Sequence, residues 1–151
     1  MTNDEKRDLV ERFWAALAAR DWDTLGEPGR FFDDTSEYWD VPIGRETGAI
    51  GPANIVTRLK LGLEPLADYT NGPEFTIVEG DHVVTIHSES WTWDDDHAYT
   101  LQFSTYQRVV DGVIVEWRDY SDMSGLMAAA PQWWLDRLAN DDLAWMSSTP
   151  S

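Results

Sequence analysis

The segment Val83 to Trp93, reading VVTIHSESWTW, places a histidine and a glutamate where a strand pattern calls for apolar residues. Successive side chains of a strand point to opposite faces. Val83, Thr85, His87, Glu89, Trp91 and Trp93 therefore share one face, and Val84, Ile86, Ser88, Ser90 and Thr92 share the other. The first set is bulkier and more aromatic, which marks it as the inward one. His87 and Glu89 then project together into apolar surroundings, where an unpaired charge is costly. Further on, VIVEWRDY from Val113 to Tyr120 puts Val113, Val115, Trp117 and Asp119 on one face. An imidazole within reach of two carboxyls is acid/base equipment. Burial and like-charge repulsion push the two carboxyl pKa values apart, so one group stays protonated as a general acid while the other, ionised, serves as a general base.

Whether these side chains meet depends on how the strands pair. Phe75 to Val78, Val83 to Trp93, Tyr99 to Val110 and Val113 to Tyr120 are rich in β-branched and aromatic residues, with turn chemistry at Gly80-Asp81, Asp94-Asp95-Asp96 and Asp111-Gly112. Four such strands in succession predict an antiparallel meander. In that order the His87/Glu89 strand and the Asp119 strand flank one central strand, about 10 Å apart. A three-residue loop at Val110 to Gly112 pairs Val109 with Val113 and Phe103 with Asp119, making Tyr99, Leu101 and Phe103 the inner face. A two-residue loop would reverse that face. Bland alternatives stand beside this reading. His87 can be a satisfied core histidine, Glu89 a solvent-facing residue near a hairpin tip, and Asp119 a structural partner of Arg108 or Arg118. A metal at His87, Glu89 and Asp119 is compatible in ligand type, but a single imidazole is a weak anchor.

The elements ahead of the meander read as helices. Leu9, Val10, Phe13, Trp14 and Leu17 recur at helical spacing behind a Thr2/Glu5 capping box. Asp21 can cap a short turn through Leu25, and Pro52 suits the start of a helix with the stripe Ile55, Leu59 and Leu63. Phe31-Phe32 and Glu37-Tyr38-Trp39 predict a short strand ending at Pro42, and Gly44 to Gly51 a loop. A last helix starts near Pro131, with Trp134, Leu138 and Trp145 on one side. Helices followed by strands imply an α+β domain. We expect residues 1–130 to form one domain, with 131–151 as its C-terminal helical extension.

Composition narrows the function. The 151 residues hold 28 Asp+Glu against 11 Lys+Arg, a formal charge of −17. Such a chain repels phosphate backbones and anionic lipid, so neither nucleic acid nor a membrane is an expected partner. Without cysteine there are no disulfides, thiolate nucleophiles or Cys-based zinc sites. The lack of cysteine and of a signal-like start fits a cytoplasmic protein, and no apolar run approaches the roughly 20 residues of a membrane helix.

The first amphipathic helix, the Gly44-Arg45-Glu46 block ahead of a helix, the GDHVV turn into a strand and the WRDY block of Trp117 to Tyr120 occur in an order that resembles limonene-1,2-epoxide hydrolases and SnoaL-like polyketide cyclases, over about residues 5–127. These belong to the nuclear transport factor 2-like superfamily. The resemblance implies a cone-shaped curved antiparallel sheet with helices on its concave face, a cystatin-like roll. By position it implies Asp119 as the water-activating base, Glu89 as the acid, and His87 where the family has a bridging arginine. Tyr38 and Asp40 would orient water, Asp40 standing in the place of an asparagine. Trp91, Leu101, Phe103 and Trp117 would wall the pocket. The expected function is cofactor-independent acid/base chemistry on a small hydrophobic substrate, epoxide hydrolysis first, in a homodimer. A cyclase, isomerase or dehydratase working by proton abstraction, or a non-catalytic binding or assembly module, are the alternatives.

Overall fold

A capping box opens the chain. The Thr2 hydroxyl accepts from the Glu5 amide while the Glu5 carboxylate accepts from the Thr2 amide, starting helix α1 (Asn3–Ala18). The apolar face of α1, Leu9 through Leu17, is buried at the predicted positions. Asp21 caps α2 (Trp22–Gly26), and Pro52 begins α3 (Pro52–Leu63), whose Ile55, Leu59 and Leu63 point into the core. The computed structural model describes residues 1–140. Trp145, and with it the end of the expected extension over 131–151, lies outside them.

Six strands form one sheet in the order β2-β1-β6-β5-β4-β3. Their ranges are β1 (Glu37–Asp40), β2 (Ala49–Ile50), β3 (Asp68–Glu79), β4 (His82–Asp94), β5 (His97–Val110) and β6 (Val113–Ser121). The meander β3 to β6 is antiparallel throughout, as its short turns require. The short β1 lies parallel to β6 and sets Tyr38 beside Trp117 and Asp40 beside Asp119. The α+β cone is thus the observed fold. Among the described residues no helix is long and apolar enough to cross a membrane.

Several elements differ from expectation. Phe31 and Phe32 lie ahead of β1 rather than in it, and the expected loop Gly44 to Gly51 holds a short 3-10 turn (Arg45–Thr47) and β2. Strand β3 begins at Asp68 rather than Phe75 and runs through Gly72 and Pro73. It is one of the sheet's two edge strands, where a proline can sit without costing a ladder bond, and a register shift between Pro73 and Phe75 absorbs Glu74. The turn after β5 has two residues, not three. Asp111 and Gly112 both take positive φ, 50° and 83°, and Val110 pairs with Val113, the geometry of a type I′ hairpin. The pairing then slips, because Val109 faces Ile114 while Arg108 faces Glu116, leaving Val115 extra. That bulge replaces Val113 and Val115 by Ile114 on the inner face but keeps Trp117 and Asp119 inside. It also places Thr105, not Phe103, opposite Asp119. Finally, a short helix α4 (Met123–Ala129), capped by Asp122, precedes the expected last helix α5 (Gln132–Ala139).

Candidate functional site

The inner face of β4 is the predicted one: Val83, Thr85, His87, Glu89 and Trp93 are buried and Trp91 is half-buried. Together with β1, β5, β6 and the helices it encloses a cavity of about 280 Å³. Tyr38, Asp40, Glu89 and Asp119 line it, with Trp91, Phe103 and Trp117 among its apolar walls. Two expected members stand behind that lining. Leu101 is buried on β5 without reaching the cavity, and His87 is fully enclosed. The far side is closed by Met123, Leu126 and Met127 of α4 and by Trp134 and Leu138 of α5. The α5 helix is fastened to the end of α3, where the Trp134 indole donates to the Gly62 carbonyl at 2.9 Å and Arg137 donates to the Leu61 carbonyl at 3.0 Å.

Asp119 is held from below. Thr105 Oγ1 and the Trp117 indole N–H both donate to its Oδ1, each at 2.7 Å. Burial raises its pKa to about 7; the charge on Asp40 adds to the rise, and the two donors oppose it. Burial likewise raises Glu89 to about 8, helped by the charge on Asp119, while the hydrogen bonds from Trp91, at 3.0 Å, and Tyr69 pull it down. Near neutral pH this cavity therefore offers one carboxyl that keeps its proton and another that gives it up more readily.

His87 does not bridge the two acids in the way the sequence suggests. Its Nε2 lies 2.8 Å from Thr105 Oγ1, so Thr105 stands between it and Asp119. Its Nδ1 is 3.8 Å from Glu89 Oε2 and makes no hydrogen bond. The ring packs between Trp14, at 4.3 Å, and Phe103, stacked at 4.9 Å. Burial lowers its pKa to about 4, and the imidazole is neutral.

The cation of the site comes from elsewhere. Arg58 of α3 reaches into the cavity, pairs with Asp40 Oδ2 at 2.9 Å, donates to the Thr47 carbonyl at 2.9 Å, and lies 4.7 Å from the centre of the Tyr38 ring. Burial works against its charge, but Asp40 and Tyr38 more than offset that and raise its pKa. Tyr38 donates to the same Asp40 oxygen at 3.2 Å and stacks on Trp117 at 3.8 Å. Burial, then the charge on Asp40, keeps its phenol protonated far above its ordinary range. Sequence reading missed Arg58, Thr105 and Tyr69. Only Arg58 left a trace, as an arginine three residues after Ile55 and so beside the apolar stripe. Among the described residues no group of three His, Asp or Glu side chains is placed to hold a metal ion.

The raised carboxyls tie stability to pH. A group whose folded pKa is raised binds its proton more tightly in the folded state, so its contribution is complete below the unfolded pKa and disappears as pH rises through the folded one. For Glu89 that window runs from about 4.5 to about 8. In denaturant melts, wild type should lose stability relative to Glu89→Gln across this interval and run parallel to it above. Parallel curves throughout would show that Glu89 is not held protonated by burial.

A profile of the SnoaL-like domain matches residues 10–117. The chain belongs to the SnoaL-like domain family. Solved structures agree on the fold of this SnoaL-like protein. An LEH-like epoxide hydrolase from M. tuberculosis superposes with a TM-score of 0.69 at 21% identity, covering 91% of this chain and 94% of that one. A protein described as a SnoaL-like polyketide cyclase from Shewanella putrefaciens gives 0.71 at 17% identity over 85% and 97%. A protein of ketosteroid isomerase-like fold from Catenulispora acidiphila gives 0.68 at 18% identity over 80% and 90%. No curated protein sequence gives a significant match.

Proposed function

We propose that this SnoaL-like protein is a cofactor-independent acid/base enzyme acting on a small apolar molecule, with hydrolysis of an epoxide as its reaction. The observation that carries this reading is the pair Glu89 and Asp119, both lining one largely apolar cavity and both raised by burial, with Glu89 above Asp119. In the working state Glu89 keeps its proton and Asp119 has lost one. Asp119 removes a proton from water as the water attacks an epoxide carbon, and Glu89 gives its proton to the departing epoxide oxygen, so the protons balance within the site. Tyr38 and Asp40, fixed by Arg58, sit beside Asp119 where they can hold that water. Trp91, Phe103 and Trp117 supply the apolar wall. A carbon-bound proton can be taken by the same base and returned by the same acid, which makes isomerisation or cyclisation the second reading.

Methylcyclohexene oxide, turned over in water enriched in heavy oxygen, separates the two. Hydrolysis places solvent oxygen in a diol product; isomerisation gives an unlabelled allylic alcohol or ketone. Activity should peak in the narrow interval between the ionisation of Asp119 near pH 7 and that of Glu89 near pH 8. Glu89→Gln should remove the alkaline limb together with most of the rate. A profile flat across this interval would contradict the assignment of acid and base.

A further inference from the structure

The acid and the base are held by the same arrangement, built twice. Trp117 stands two residues before Asp119 and Trp91 two residues after Glu89, so each indole shares a sheet face with its carboxyl. Each donates its N–H to that carboxyl, Trp117 to Asp119 Oδ1 at 2.7 Å and Trp91 to Glu89 Oε1 at 3.0 Å. A hydroxyl from the neighbouring strand completes each pair. Thr105 of β5 donates to Asp119 at 2.7 Å, and Tyr69 of β3 donates to Glu89. The donors to the acid are themselves fixed. The Trp91 ring meets Tyr69 edge-on at 6.2 Å and Trp134 of α5 edge-on at 5.8 Å, and the Tyr69 hydroxyl accepts from Asn71 at 3.3 Å. Asn71 is anchored in turn by donating to the Trp14 carbonyl at 3.3 Å.

We propose that Trp91 and Tyr69 are positioning residues of the acid step, aiming the Glu89 carboxyl into the cavity and strengthening their hold on it as its proton passes to the substrate oxygen. This rests on the acid/base reading above and gives Trp91 a role beyond that of apolar wall. In the step the Glu89 O–H bond breaks, its proton goes to the epoxide oxygen, and its electron pair stays on the carboxyl. Both donors reach a neutral acid, but a carboxylate accepts from them about twice as strongly. An interaction that grows along the reaction lowers its barrier, whereas one equally strong throughout does not. Neither donor gives up its own proton. An indole N–H only donates, and burial, followed by the charge on Glu89, keeps the Tyr69 phenol protonated well above its ordinary range. The titratable and charged groups around Glu89 are Asp119 of β6, Asp40 and Tyr38 of β1, Arg58 of α3, Tyr69 of β3 and His87 of β4. Removing the Tyr69 hydroxyl leaves the base and its two donors untouched.

The first of two tests needs no substrate. Carbon NMR of protein labelled at its glutamate carboxyls, with Glu89 assigned by its loss in Glu89→Gln, should show this group titrating near pH 8 in wild type. Tyr69→Phe keeps the ring and removes only the hydroxyl. The carboxylate then loses one donor, and the midpoint should rise by about one pH unit. Replacing Trp91 by benzothienylalanine, which keeps the shape of the indole without its N–H, should move the midpoint in the same direction. An unmoved or lowered midpoint in either protein overturns the role of that residue, whatever the reaction is. The second test follows methylcyclohexene oxide. In Tyr69→Phe the alkaline limb of the rate profile should rise with the Glu89 midpoint while the acid limb stays near pH 7. The limiting kcat should fall about threefold or more, with KM within about twofold. A displaced midpoint with an unchanged kcat refutes the part these donors play in the step. Wild type inert toward the epoxide would count against the proposed reaction, and the titration would still decide whether the two donors hold the acid.

Discussion

Asp119→Asn should lower kcat/KM by a factor on the order of 10³ while leaving the fold intact. The substitution is close to isosteric, and an asparagine carbonyl can accept from Thr105 and Trp117 where Oδ1 now does. What disappears is the ability to take a proton. Because ionised Asp119 is disfavoured by burial and by the charge on Asp40, the variant should be at least as stable as wild type above pH 7. The combination is diagnostic, since a structural aspartate would lose stability on mutation and a catalytic one loses rate. Thermal melts and kinetics at pH 8 decide between them, and a fully active variant would remove Asp119 from the chemistry.

Arg58→Met should be the most destabilising single change in the site, by about 3–5 kcal/mol at neutral pH. Both partners of the pair are nearly buried, with side-chain exposures of 10% for Arg58 and 8% for Asp40. Removing the guanidinium leaves Asp40 with only the Tyr38 hydroxyl and frees the Thr47 carbonyl that ties α3 to the turn at Arg45–Thr47. Adding Asp40→Asn should recover a large part of the loss, because the orphaned charge is then gone. Urea denaturation of the two single variants and the double variant measures this directly. Equal losses in Arg58→Met and the double variant would mean that packing, not charge pairing, explains the cost.

These two residues also show what the sequence could reveal. Asp119 was legible because a carboxylate inside an apolar, alternating strand breaks a clear period of two, and β4 disclosed His87 and Glu89 for the same reason. Arg58 breaks no such rule. A helix carries charges beside its apolar stripe as a matter of course, and it is the packing of α3 beside β2, the partner strand of β1, that brings this arginine to Asp40. Thr105 was hidden by register. The reading that set Phe103 opposite Asp119 had the inner face right but rested on the wrong loop, since the type I′ turn and the bulge together restored the parity that the turn alone would have lost. The first half of β3 was hidden by Gly72-Pro73, which reads as a break everywhere except at a sheet edge. Helix α4 spans seven residues and includes Ser124 and Gly125, too short and too weak in propensity to stand out.

The bulge at the extra residue Val115 lets a strand one residue longer than its partner still deliver Asp119 to the inner face behind a two-residue turn. Loss of Val115 alone would close the bulge and leave Arg108 facing Glu116, Gln107 facing Trp117 and Thr105 facing Asp119, so both Trp117 and Asp119 would still point inward and only the local bend would go. Exchanging Val115 for another residue leaves their direction alone. Descendants of this gene should therefore tolerate both spelling changes and the loss of one codon at that position.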